Sequence, residues 1–252
     1  MEIIGYLLMH QTSLTKNDFK EYFITWGGFA LIEFLVSERN NIGTKFKTCL
    51  DIGSGEGVHT DILRHAGLEV FQVDKYSNTA EYKVDFIEHK FDRKFDVVFC
   101  SHVIEHQRNV GLFLDRIFDV LSDDGVLIIS APKEDHNLIE GHLNGFIFPL
   151  FLQQMIHAGF DCKNGKFLST IENSFIVSKA DNFEMVERLE NGYQWTEKHK
   201  NRSPIELKTS SVDMKFHNCQ HIQPNLTLKL PKNHWSYGMI INMERWRLKF
   251  YT

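Results

Sequence analysis

Residues 50–57, Leu50-Asp51-Ile52-Gly53-Ser54-Gly55-Glu56-Gly57, constrain the fold more than any other stretch of the chain. A short apolar run, 46–52, leads into three glycines spaced two apart, and residues of helical character, 58–66, follow. Glycine turns the backbone tightly and lets it lie against a flat ligand without a Cβ in the way. A strand, a bend of this kind and a helix together read as the opening of a βαβ unit.

Strand and helix signals then alternate. A second buried strand is expected at 69–73, closed by Asp74, and a third strong one at 95–101 (FDVVFCS). An amphipathic helix over 109–121 is stopped by Asp123-Asp124-Gly125 before a strand at 126–131, and another helix spans 148–158 with Gly159 as its stop. Continuous apolar strands are what a parallel sheet covered by helices on both faces requires. Residues 167–179 read as an antiparallel hairpin turning about Glu172-Asn173 at the sheet edge. Ahead of this core, 17–38 reads as a helix weakened at Gly27-Gly28; beyond it the texture becomes polar, with a hairpin expected over 226–246 that turns at 231–234. The expected organisation is an N-terminal helical segment (1–40), an α/β core (41–180) and a C-terminal appendage with a β-hairpin (181–252).

The glycine loop departs from the dinucleotide fingerprint. That pattern is G-x-G-x-x-G, which brings a pyrophosphate to a helix N-terminus; here the glycines stand at 53, 55 and 57, and position 58 is Val. Asp51, just before the bend, repels pyrophosphate but suits a cationic ligand. Asp74 stands about 20 residues on, where a carboxylate accepts hydrogen bonds from ribose hydroxyls.

With these segments in place, the sequence resembles the class I S-adenosylmethionine-dependent methyltransferases. Val84-Asp85-Phe86 is similar to the family's acidic segment after strand three, residues 95–106 to its strand-four segment ending in Ile-Glu-His, and residues 124–132 to its strand-five segment. Glu140-Gly141-His142 with Ala158-Gly159-Phe160 is similar to the ubiquinone-biosynthesis-like branch of small-molecule O-methyltransferases. The likeness covers roughly 40–180. It implies a Rossmann-like, doubly wound, mostly parallel seven-stranded sheet. It also implies that Asp51, Gly53, Ser54, Gly55 and Gly57 wrap the methionine part of S-adenosylmethionine, that Asp74 holds the ribose, that Asp85 and Phe86 border the adenine, and that Ser101 and His102 line the pocket. A Rossmann domain without this cofactor, its acids serving only as strand-end caps, is the alternative.

His102, Glu105 and His106 are spaced i, i+3 and i+4, so a helical turn after the strand presents all three on one face, beside the carboxyl end of the sheet. His142 could join them from the loop after the next strand. Three readings stand. In the first, His102, Glu105, His106 and His142 bind a divalent metal ion that polarises an acceptor hydroxyl; this is similar to the Glu-x-x-Glu-His plus distant His of some metal-dependent methyltransferases, with His102 where the first Glu would be. In the second, His106 or His142, supported by Glu105, is a metal-free general base, because a hydroxyl is a poor nucleophile until its proton is taken. In the third, the cluster ties the loop to the sheet. The histidines and large aromatics beyond residue 180 read as loop or core packing.

Charge and cysteines narrow the class further. A net charge of -5 advertises no basic face, which argues against a nucleic-acid substrate. The four cysteines form no CxxC pair, and Cys49 and Cys100 lie in apolar runs, as small buried hydrophobes do in a reducing cytosol. The apolar first nine residues carry no early Lys or Arg, so no secretory signal is expected and the location expected is cytoplasmic. No run approaches the ~20 apolar residues that cross a bilayer. The expected function is methyl transfer to a hydroxyl of a small polar acceptor, a nucleotide-linked sugar or surface-glycan precursor being the first choice. A cofactor-binding regulatory module without turnover and an RNA methyltransferase are the alternatives.

Overall fold

The computed structural model describes residues 23–24, 26–133, 139–169, 172–185, 187, 195–204, 220–221, 238–242 and 247–251. One sheet dominates. Its strands are β2 (Thr48–Ile52), β3 (Glu69–Val73), β4 (Phe95–Ser101), β5 (Leu121–Pro132), β6 (Phe160–Ser169), β7 (Glu172–Lys179) and a two-residue β8 (Gln220–His221), in the order β3-β2-β4-β5-β7-β6-β8. β2 pairs in parallel with both β3 and β4, and β4 with β5, while β7 runs antiparallel between β5 and β6. The α/β, doubly wound class is thus as expected, with six strands of five residues or more and a seventh of two.

Side-chain alternation sends successive strand residues to opposite faces, and each face is closed by its own helices. Leu50, Val98, Cys100, Leu127, Ile129 and Phe175 share one core with α3 (Val110–Val120) and α4 (Phe148–His157). Cys49, Val97, Phe99, Ile128 and Ile176 share the other with α1 (Gly28–Ser37) and α2 (Val58–His65). α3 is started by Asn109, whose side chain accepts from the Leu112 amide at 3.0 Å; α4 carries Pro149 in its first turn, where no amide partner is needed. Cys49, Cys100 and Cys162 are buried free thiols.

Five local expectations are corrected. The helix expected over 17–38 is α1 only: Phe23–Ile24 is a strand, β1, and Gly27, at φ 82°, breaks the chain direction before residue 28. Residues 17–22 lie outside the described residues. No strand forms ahead of Val84-Asp85-Phe86, where the link from β3 to β4 holds one bridge, Val73 to Tyr82. Asp123-Asp124-Gly125 does not separate helix from strand, because β5 begins at Leu121 and absorbs the triplet in a register shift against β4. Glu172 and Asn173 are not a turn but the buried start of β7, which lies inside the sheet with β6 outside it. The C-terminal hairpin joins β9 (Gly238–Asn242) to β10 (Arg247–Tyr251), with β1 on the other side of β9; the turn expected at 231–234 lies outside the described residues.

Candidate functional site

The carboxyl ends of β2, β3, β4 and β5 meet at one edge, where ligands bind in open α/β sheets. The bend after β2 is left-handed at Gly53, Gly55 and Gly57, with φ of 70°, 52° and 81°. It is tied down at two points: the Gly53 amide donates to the Val73 carbonyl at 2.8 Å, and the Gly55 amide to Asp74 Oδ2 at 3.0 Å. Asp74 Oδ1 accepts from the amides of Tyr76 and Ser77 at 2.8 and 2.9 Å. A Cβ placed on Gly55 would meet no atom within 4 Å, so the bend faces open space. Ser54 Oγ is buried with no hydrogen-bond partner among the described residues.

Asp51 lies beneath the bend, 2% exposed, and accepts from Thr60 Oγ1 at 2.5 Å. Burial pushes its carboxyl up to about 7; the Thr60 hydroxyl opposes the rise, and the negative charge of Asp74 adds to it. His59, in the first turn of α2, has a buried Nε2 with no partner among the described residues, packs 4.9 Å from the Phe99 ring, and is lowered to about 4 by burial and then by His102. The sequence reading passed over His59, although its place two residues after the last glycine of the bend was a usable signal.

Beyond β3, Asp85 pairs with Lys75 at 3.1 Å and accepts from the Ile87 amide at 3.0 Å. The Phe86 ring packs inward against Phe113 and Phe91, at 5.4 and 6.1 Å between centroids. At the end of β4, Ser101 Oγ donates to the Trp26 carbonyl at 2.5 Å.

His102 takes φ 53°, a conformation that a non-glycine residue adopts at a cost of about 1–3 kcal/mol. Its Nε2 lies 2.9 Å from Glu172 Oε2, its Nδ1 lies 3.6 Å from Glu105 Oε1, and the Trp26 indole stacks on the ring at 5.0 Å. Ile104–His106 form a 3₁₀ turn that sets Glu105 inward, 1% exposed, with Oε2 unpartnered among the described residues. His106 is exposed; its Nδ1 donates to the Gly141 carbonyl at 2.9 Å, and its Nε2 faces Glu105 Oε1 at 3.7 Å. The His142 ring stands edge-on to His106 at 5.0 Å. Burial holds His142 below its ordinary value, Glu105 pulls the other way, and His106 and His102 add to the lowering.

Glu105, His106 and His142 each offer one ligand atom, all within 4.8 Å of one another. His102 lies outside that trio, held by Glu172. Neither Glu172 nor Trp26 was visible as a site residue in the sequence, because β7 and the turn before α1 reach this edge only through the tertiary fold.

Comparison with known proteins agrees with this geometry. A family model described as a methyltransferase domain matches residues 29–158, just over half of the 252-residue chain. The ubiquinone biosynthesis O-methyltransferase of Azorhizobium caulinodans is 30% identical over 98 residues, which are 32% of this chain and 39% of that protein. That of Rickettsia canadensis is 30% identical over 116 residues, 40% of this chain and 48% of that protein. The matched segments span about two fifths to one half of these relatives. In fold, the chain is similar to the Burkholderia thailandensis 1,6-didemethyltoxoflavin-N1-methyltransferase crystallised with 1,6-didemethyltoxoflavin and S-adenosylhomocysteine: TM-score 0.50, 18% identity, covering 60% of this chain and 79% of that one. A sheet wound in this order, a glycine bend tied to an acid at the next strand end, and a family model over residues 29–158 make this chain a member of the class I S-adenosylmethionine-dependent methyltransferases.

Proposed function

We propose that the chain transfers a methyl group from S-adenosylmethionine to a hydroxyl of a small polar acceptor, with His106 as the general base. One observation carries the choice: the His106 Nδ1 hydrogen bond to the Gly141 carbonyl leaves Nε2 as the basic nitrogen, beside the buried Glu105 carboxylate. The cofactor supplies an electrophilic methyl on a sulfonium, whose departure as a neutral thioether needs no proton.

The residues present suit that group. Gly53, Ser54, Gly55 and Gly57 form a bend, open at Gly55, for its methionine part; a sulfonium above Asp51 would favour the ionised form of that buried carboxyl, and Asp74 stands ready for the ribose. Asp85 and the backbone at Phe86 border the adenine position, and Ser101 and His102 line the wall after β4. With the cofactor bound, His106 Nε2 would take the proton of the acceptor hydroxyl, and the carboxylate of Glu105 would stabilise the imidazolium that results. His142, held neutral by burial, faces the same spot.

The trio of Glu105, His106 and His142 also has the composition and spacing to hold a divalent cation, which would acidify a bound hydroxyl. The acceptor is proposed as a nucleotide-linked sugar or glycan precursor, with phenols as the competing class, because the similar proteins are O-methyltransferases of ubiquinone biosynthesis. No helix among the described residues is long and apolar enough to cross a membrane.

The test is release of S-adenosylhomocysteine across a panel of nucleotide sugars, phenols and short RNAs, with metal analysis of the protein before and after chelation. Turnover on one class identifies the acceptor. Tight cofactor binding with no turnover on any of them converts the reading to a cofactor-binding module.

A further inference from the structure

Glu172 opens β7 at the same edge, 1% exposed, and its partners come from distant parts of the chain. The Gly27 amide, 145 residues away, donates to both of its oxygens at 3.0 and 2.9 Å. Ser174 Oγ donates to Oε1 at 3.3 Å, and His102 Nε2 lies 2.9 Å from Oε2. Both oxygens already accept from other groups, so His102 Nε2 is a donor here. A buried carboxylate is costly unless hydrogen-bonded in this way, and a non-glycine residue persists at φ 53° only where its surroundings over-determine it.

The turn that Glu172 holds is itself part of the edge. Gly27 takes φ 82°, and a Cβ on it would lie 2.4 Å from Ser101 Oγ and 3.2 Å from Ser130 Oγ. The Trp26 carbonyl accepts from Ser101 Oγ at 2.5 Å, and its indole covers His102 with an interplanar angle of 21°. Val103, the next residue, lies where a Cβ on Gly53 would come, 2.2 Å from Val103 Cγ2. Trp26, His102, Val103 and Gly53 therefore form one continuous wall ending at the cofactor bend.

We infer that Glu172 is a positioning residue of this site: it clasps the Trp26–Gly27 turn over His102 and so makes the segment before α1 a wall of the cofactor pocket. The inference rests on the cofactor reading above. The clasp does not include His106 or His142, and Glu105 meets it only through His102 Nδ1, 3.6 Å from Glu105 Oε1.

The probe is S-adenosylhomocysteine, titrated calorimetrically into the full chain, with thermal melts as the folding control. Gly27→Ala, Trp26→Ala and Glu172→Ala are each expected to raise Kd at least tenfold. Glu172→Gln, which keeps an acceptor oxygen for the Gly27 amide, recovers most of that loss. The Gly27→Ala/Glu172→Ala pair is expected to bind no more than about threefold worse than the weaker single variant, since both break one clasp.

A folded Gly27→Ala or Trp26→Ala protein that binds like wild type overturns the inference, as does full additivity in the pair. So does a Glu172→Gln protein as weak as Glu172→Ala. Trp26→Ala, half-buried and outside both cores, decides the matter where the variants at Gly27 and Glu172 do not fold. Wild-type protein that does not bind S-adenosylhomocysteine overturns the cofactor reading and this inference with it, an outcome distinct from the others.

Discussion

The Gly55 amide donates to Asp74 Oδ2 at 3.0 Å, so the bend after β2 and the acid ending β3 form one unit rather than two neighbouring motifs. Asp74 shapes the bend through the amides of Gly55, Tyr76 and Ser77, and the proposed function gives it a second task, holding the ribose. Asp74→Ala is expected to weaken S-adenosylmethionine binding by ~1–3 kcal/mol, the range for a lost charge-assisted hydrogen bond. Calorimetric titration measures it. Unchanged affinity would remove Asp74 from the site.

Gly55 tests the cradle by a different route. Its φ of 52° strains any L side chain by about 1–2 kcal/mol, and its missing Cβ points into open space rather than into protein. Gly55→Val is therefore expected to leave a folded chain, by circular dichroism, that does not bind the cofactor. Normal binding refutes the placement of the bend.

Asp51 and His59 pull the pH dependence of stability in opposite directions. The raised Asp51 carboxyl holds its proton more tightly folded than unfolded, so its contribution is full below about pH 4 and lost as pH rises through about 7. The lowered His59 contributes fully above about pH 6.5 and loses that contribution as pH falls through about 4. At 1.36 kcal/mol per pKa unit each amounts to roughly 3–4 kcal/mol, and the two nearly cancel. Asp51→Asn is expected to unmask the histidine, giving a protein that loses roughly 3 kcal/mol between pH 6.5 and 4 in urea titrations. His59→Gln is expected to show the reverse slope. A flat profile in both variants would contradict the burial argument.

His106 separates binding from chemistry. His106→Ala is expected to leave cofactor affinity within about twofold and to reduce turnover by about 10²–10⁴, the range for loss of a general base. If chelation of the wild-type protein abolishes turnover and added metal restores it, the trio holds a cation. Turnover that survives chelation assigns His106 the metal-free role. Full activity of His106→Ala makes the cluster a loop tie.

Much of this molecule was legible in its sequence because the signals are local. The apolar runs at β2, β3, β4 and β5, the glycines that close β2 and the acid that closes β3 each depend on near neighbours. The 3₁₀ turn that carries Glu105 and His106 likewise follows from residues within one turn of each other. Errors gathered where local preference was overruled from afar. Residues 17–38 have helical composition, yet Phe23 and Ile24 pair with Ile240 and Met239, a partner more than two hundred residues away. Glu172-Asn173 has turn composition, yet both residues pair with β5, and Asn173 also with β6, which draws them into a buried strand.

By itself the sequence determined the βαβ order, the covered parallel sheet and the family, since periodicity and a glycine bend are properties of adjacent residues. The tertiary structure alone decided which partner each ionisable group received. It gave His102 to Glu172 instead of to the trio of Glu105, His106 and His142, sank His59 beside Phe99, and laid Trp26–Gly27 over the edge. The reason is that a hydrogen bond acts over about 3 Å, and only the folded chain determines which distant residues come that close.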